Sequence, residues 1–183
     1  MLDKKIVIQQ TQCWLDKFII ALNICPFASK ERDKGSIRFF VDENSNLANV
    51  LENFVLECER LDQNDEIETT LFILGAMAED FEDYLDFLDI ANQLLISQGY
   101  EGVYQLASFH PQYMFAESEK DEAANYTNRS PYPMLHIIRE ESLEKALLTY
   151  PNPELIPENN IALCRKMGVE KTQAILSACL ASS

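Results

Sequence analysis

The sequence is poor in positive charge, in histidine and in long apolar runs. Fifteen lysines and arginines stand against thirty aspartates and glutamates, a formal net charge of -15 over 183 residues. A surface of that sign repels a phosphate backbone at long range, so nucleic acid is not an expected partner. Anionic membrane surfaces are disfavoured on the same ground, and no apolar run has the length needed to span a bilayer. The amino-terminal stretch MLDKKIVIQQTQCW has a basic pair but neither a long apolar core nor a small-residue cleavage site, so a cytosolic location is expected rather than export. Two glycosylation-type triplets, at Asn125 and Asn128, would matter only in a secreted protein. The cysteines are five, Cys13, Cys25, Cys58, Cys164 and Cys179, an odd number with no C-x-x-C pair. That excludes a disulfide framework and a zinc knuckle and fits a reducing compartment. With two histidines and no convincing third ligand, no metal site is expected. Composition names no cofactor and no oligomeric state.

What is present is ordinary globular material. Hydrophobic residues make up 47% and charged residues 25% of the chain, and its length suits one domain over 1–183. Apolar spacing predicts a helix over 4–22, interrupted by Pro26, and a strand over SIRFFV at 36–41. Asn46 can cap a helix whose stripe is Leu47, Val50, Leu51, Phe54, Cys58 and Leu61. TTLFILG at 69–75 reads as a strand buried on both faces. Asp80 can cap a helix to about residue 98, with Phe81, Tyr84, Leu85, Leu88, Ala91 and Leu95 inward. Its acidic residues Glu82, Asp83, Asp86 and Asp89 read as a solvated face rather than a metal site. Strands over 103–109 and 134–139 flank a polar loop from Pro111 to Pro133. Helices over about 141–149, from Pro157 to Gly168, and over 169–181 follow, so that 151–183 forms a helical carboxy-terminal extension. Strands alternating with helices predict an α/β layered fold of about four strands, the first three parallel and the fourth antiparallel.

The loop holds the chemistry. A connection of about 20 residues without periodicity is uncommon in a compact domain, and such loops are usually functional or disordered. Its aromatic and proline content favours order, packed over the strand ends, where open α/β sheets bind ligands. His110, just past the third strand, reads either as a general base or as a structural ring tying loop to sheet. His136 shares a strand face with Met134 and Ile138, and a satisfied half-buried histidine competes there with a ligand contact. Arg129 offers a planar fork for an anion. Arg139 offers the same, although an ion pair with a neighbour such as Glu140 is the preferred reading there. Asn125 and Asn128 can hold a ligand by amide hydrogen bonds or build turns. Tyr113 and Tyr132 can add hydroxyl contacts or pack.

The second candidate is NICPFASKER at 23–32. Were a helix to begin at Pro26, Cys25 would be its N-cap and the helix dipole would lower the thiol pKa. Were the first helix to run to Cys25, the pKa would rise. Proline's preference for the first helical position favours the N-cap, and Cys25 as nucleophile with His110 as base follows as a catalytic expectation.

CPFA at 25–28, ASFHPQYMF at 107–115 and NYTNRSPYPMLHIIRE at 125–140 resemble the bacterial family called domain of unknown function 1415, over nearly the whole chain. The resemblance implies no particular activity, cofactor or substrate. It implies that Cys25, Pro26, Phe27, His110, Pro111 and Tyr113 are signature positions. So, by the same resemblance, are Asn125, Asn128, Arg129, Ser130, Pro131, Tyr132, Pro133, His136, Arg139 and Glu140; Ser130 joins the ligand-binding candidates on that ground. The expected function is a polar pocket for a small anionic molecule, walled by 109–133 and Cys25, with Arg129 as counter-charge, in an enzyme. The alternative is a non-catalytic assembly or regulatory protein whose loop aromatics Tyr113, Phe115 and Tyr126 dock a partner.

Overall fold

A computed structural model describes residues 3–181; residues 1, 2, 182 and 183, the ends of the domain expected over 1–183, lie outside the described residues. Helix α1 (Lys4–Trp14) starts where the Asp3 carboxylate accepts from the Lys5 amide at 2.8 Å. It continues without a break into a π-helical segment, Leu15–Ile20, whose wider turn puts Leu15, Phe18 and Ile19 all on the buried side. The helix expected over 4–22 therefore ends at Ile20. Asn23, left-handed at φ 54°, then redirects the chain so that Ile24 turns inward. Helix α2 (Ala28–Lys34) stops at Gly35, whose φ of 71° suits a residue without a Cβ.

Strand β1 (Ile37–Asp42), helix α3 (Leu47–Gln63), strand β2 (Thr69–Leu74), helix α4 (Phe81–Ser97) and strand β3 (Tyr104–Phe109) follow. Asn46 and Asp80 cap α3 and α4 by accepting from Asn49 and Glu82 amides, as their positions before the apolar stripes predict. The four carboxylates of α4, Glu82, Asp83, Asp86 and Asp89, are solvent-exposed. Strand β4 (Met134–Arg139) runs directly into helix α5 (Glu140–Thr149), and α6 (Ile156–Met167) and α7 (Val169–Leu180) end the chain.

The fold is α/β, with a four-stranded mixed sheet in the order β1-β2-β4-β3. Strands β1 and β2 pair in parallel, and β4 is antiparallel to both β2 and β3. The first three strands therefore run in one direction, as alternation with helices predicts, but β4 is inserted between the second and third. Both crossover helices lie on one face. There α3 and α4 bury Phe54, Cys58, Tyr84, Phe87 and Ala91 against Phe72, Leu135 and Ile137. The other face receives Leu71, Ile73 and Met134 and is covered by α1, its π-helical continuation, α6 and α7, which bury Trp14, Phe18, Cys164, Leu176 and Cys179. No crossover helix is fixed tightly over that second face, and the termini must cover it instead. This is where the molecule is hollow. Among the described residues, no helix is long and apolar enough to cross a membrane.

Candidate functional site

A cavity of about 920 Å³ lies on that second face. Its floor is the sheet, with Leu71, Ala107, Phe109, His136 and Ile138 side by side; Trp14, Leu15 and Ile19 form one wall and Leu143 and Ala146 of α5 another. It reaches Ile37 and Thr69 at the amino ends of β1 and β2, so it sits on the face of the sheet rather than beyond the carboxyl ends of the strands. Helix α5 has no buried residue, and its apolar side chains Leu143 and Ala146 face the cavity instead of a packed partner. Tyr150, just after α5, meets Phe27 edge-on at a ring distance of 5.5 Å, and both line the cavity.

The polar groups of the cavity are few. The most informative is His136, whose Nε2 lies 2.6 Å from Thr69 Oγ1. The Thr69 hydroxyl has one proton, and it is donated to the Ile137 carbonyl, also at 2.6 Å. Thr69 can therefore only accept from the imidazole, which fixes the proton on Nε2. Nδ1 is left as a lone-pair acceptor with no protein donor. Among the described residues the one buried side-chain polar atom without a partner is Thr70 Oγ1, so His136 Nδ1 is not sealed off; it opens to the cavity that the ring lines. Burial pushes the His136 pKa down to about 4, which keeps the ring neutral near pH 7.

Cys25 also lines the cavity, beyond the end of the π-helical segment. It is not the N-cap expected for a helix starting at Pro26. That position belongs to Phe27, because α2 begins at Ala28. The Phe27 and Ala28 amides donate toward the thiol and favour its ionised form, but burial outweighs them and the pKa is raised. The lowered pKa expected for Cys25 at a helix N-cap is thus replaced by a raised one, because the residue is not the cap and burial dominates.

The structure does not bring Cys25 and His110 together on this cavity. His110 is fully buried. Its Nδ1 accepts from the Gln112 amide at 3.0 Å, so its Nε2 carries the proton and donates to the Ala78 carbonyl at 3.1 Å. With both nitrogens satisfied and rings of Phe81 and Tyr84 about it, it ties the loop to the segment before α4. Burial pushes its pKa down as well.

The remaining loop candidates brace the loop itself. Arg129 donates from Nε to the Tyr113 carbonyl at 3.1 Å and from a terminal nitrogen to the Lys120 carbonyl at 2.8 Å, with its guanidinium over the Tyr126 ring. Its own carbonyl accepts from Trp14 Nε1 at 3.0 Å, which anchors a cavity wall. Asn125 is fully buried, accepting from the Phe115 amide and Ser118 hydroxyl and donating to the Glu119 carbonyl. Ser130 donates to the Tyr132 carbonyl, and the Tyr132 hydroxyl to Gln10 Oε1. Arg139 donates to the carbonyls of Leu61 and Ile67, capping the end of α3, in place of the expected ion pair. Tyr113 packs on Phe81 and Phe115. Of the expected site residues, Cys25, Asn128 and His136 line the cavity, and the amide of Asn128 is committed to the Ser108 carbonyl at 3.1 Å. Thr69, Leu143, Ala146 and Trp14 were not expected there, and nothing in their local spacing distinguishes them from ordinary strand and helix residues.

Residues 6–174 match the model of a family described as Protein of unknown function (DUF1415). The chain belongs to this family. No curated protein and no solved structure matches it. All of the cavity residues named above fall within the matched span.

Proposed function

We propose that this member of the DUF1415 family binds a small, mainly apolar molecule in the cavity, oriented by a hydrogen bond donated to His136 Nδ1. One observation carries the proposal. Apolar side chains of the sheet, of the π-helical segment and of α5 face each other across about 920 Å³ that no side chain fills. Protein interiors pack to near crystal density, and this volume lies at the upper end of the range of small-molecule sites, about 300–1,000 Å³. The exposed lysines Lys30, Lys34 and Lys145 also line it, against Glu31 and Glu68. Lys30 and Lys34 pair with Glu31 and Lys145 with Glu141, and because these ion pairs are exposed and weak, an anionic group at the outer end of the ligand can compete for the lysines. The expected anionic ligand is thus better served by this rim than by Arg129, whose donors go to loop carbonyls.

Binding is favoured over catalysis because burial disfavours both a thiolate at Cys25 and an imidazolium at His136. It is favoured over partner docking by the loop because Tyr126 is only 2% exposed. Anilinonaphthalene sulfonate has the required parts: an apolar body, one N–H donor and an anion. It should bind at one site per chain with enhanced fluorescence, and saturated carboxylic acids of increasing length should displace it. Ala146→Trp, which places an indole in the cavity, should weaken binding at least about tenfold, roughly 1.4 kcal/mol. Equal binding by that variant would place the probe elsewhere and overturn the proposal.

A further inference from the structure

The Sγ atoms of Cys13 and Cys179 lie 3.1 Å apart, one on α1 and the other on α7, with 166 residues of sequence between them. None of the five cysteines forms a disulfide. Three of them have environments that explain themselves without chemistry. Cys58 and Cys164 are buried core positions, and Cys25 faces the cavity. Cys179 is buried too, but besides its apolar surroundings its sulfur meets another sulfur, and that second sulfur belongs to a half-buried residue. A reactive pair needs this asymmetry: one thiol that a small oxidant can reach and a second already within reach of the first.

We infer that Cys13 and Cys179 are a reversible oxidation site, closed to an intramolecular disulfide by hydroperoxides. In the first step the Cys13 sulfur attacks one peroxide oxygen and the O–O bond breaks. Cys13 becomes a sulfenic acid, and the leaving hydroxide takes the thiol proton to give water. In the second step the Cys179 sulfur attacks the sulfenic sulfur, the S–O bond breaks, and the departing hydroxide takes the Cys179 proton. Two thiols and one hydrogen peroxide give one disulfide and two waters. Burial, with the contact to Cys13, pushes the Cys179 thiol up to about 12, so it reacts as the resolving partner and not as the first nucleophile. Lys17 acts in the opposite sense on Cys179.

The bond would staple the first helix to the last. These two helices cover the hollow face of the sheet, and Gln10 of α1 already bonds the Leu180 carbonyl at the end of α7 and accepts from Tyr132. Cross-linking residues so distant in sequence restricts the unfolded chain strongly. Oxidation should therefore raise the melting temperature by several degrees. It should do so without assembling dimers.

The test treats the full chain with a small excess of hydrogen peroxide, blocks remaining thiols, and maps peptides without reduction. A Cys13–Cys179 linked peptide, lighter by two hydrogens than the sum of its parts, is expected, together with a raised melting temperature that dithiothreitol reverses. Cys13→Ser, at a half-buried position, should lose both effects while melting like the reduced protein. Oxidation of Cys13 to sulfinic acid without the cross-link would overturn the inference. So would a Cys13→Ser variant that keeps the melting increase, or linkage only between chains. The mapping on the unaltered sequence decides the matter even if a variant folds poorly.

Discussion

Thr69 and His136 are held in one hydrogen-bonding arrangement: the hydroxyl donates to the Ile137 carbonyl and accepts a hydrogen bond from the imidazole Nε2–H in return. The two residues are near neighbours in the β2–β4 ladder, where Thr69 pairs with Ile138 and Leu71 with His136. A pairing fixed by sheet register thus decides which ring nitrogen faces the cavity. Replacing His136 by Phe keeps the shape and leaves Thr69 bonded to Ile137, so the fold should survive. Binding of anilinonaphthalene sulfonate should weaken about three- to tenfold, the worth of one neutral hydrogen bond of about 1 kcal/mol. Titration by fluorescence checks this, and unchanged affinity would remove His136 from the site.

The same ring makes stability depend on pH. Its folded pKa of about 4 lies below the ordinary histidine value of about 6.5. Above 6.5 the ring is neutral in both folded and unfolded chains and contributes no slope. As pH falls from about 6.5 toward 4 only the unfolded chain takes the proton, so folding stability is lost across that window, by up to about 3 kcal/mol. His110 acts in the same direction. Urea melts at pH 7 and pH 5 should show the loss, and His136→Phe should flatten part of it.

The sequence makes Arg129 the expected counter-charge of an anion, whereas the structure gives its donors to the carbonyls of Tyr113 and Lys120. Arg129→Ala should cost about 2–3 kcal/mol, since two charge-assisted bonds and the stacking on Tyr126 go together. Arg129→Lys should recover little, because an ammonium cannot fork between two carbonyls while lying flat on a ring. Denaturant unfolding measures both. An Arg129→Ala protein that unfolds like the parent but loses ligand would return the residue to the binding site.

How much could be read in advance follows from range along the chain. The stripes of α3 and α4, with the caps Asn46 and Asp80, are local patterns, and the helices form there. The insertion of β4 between β2 and β3 depends on pairing between residues about 65 apart, such as Leu71 with His136, and no local signal carries it. The loop was recognisable as ordered because its prolines and aromatics are local. Its role was not, because donors such as those of Arg129 and Asn125 satisfy the loop's own backbone, and the sequence does not say which carbonyls will need them. The cavity was the least legible part. Cys25 and His136 stand out in the sequence as candidates, but Trp14, Thr69 and Leu143, which line the same space, look like ordinary core residues until the terminal helices are set over the open face.

Cys25 offers the most direct readout of that cavity, because it lines the space while the buried thiols Cys58, Cys164 and Cys179 do not. Its raised pKa means that the thiolate forms only at pH above the ordinary thiol range of about 8.5. Alkylation by iodoacetamide should therefore be slow at pH 7 and rise about tenfold per pH unit through pH 9 without levelling off. Peptide-resolved mass spectrometry separates Cys25 from the other four cysteines. Saturating anilinonaphthalene sulfonate should slow the reaction at Cys25 and leave the half-buried Cys13 unaffected. Rapid alkylation already at pH 7 would mean that the Phe27 and Ala28 amides outweigh burial after all, and Cys25 would then stand as a nucleophile inside an active site rather than as part of the wall of a binding site.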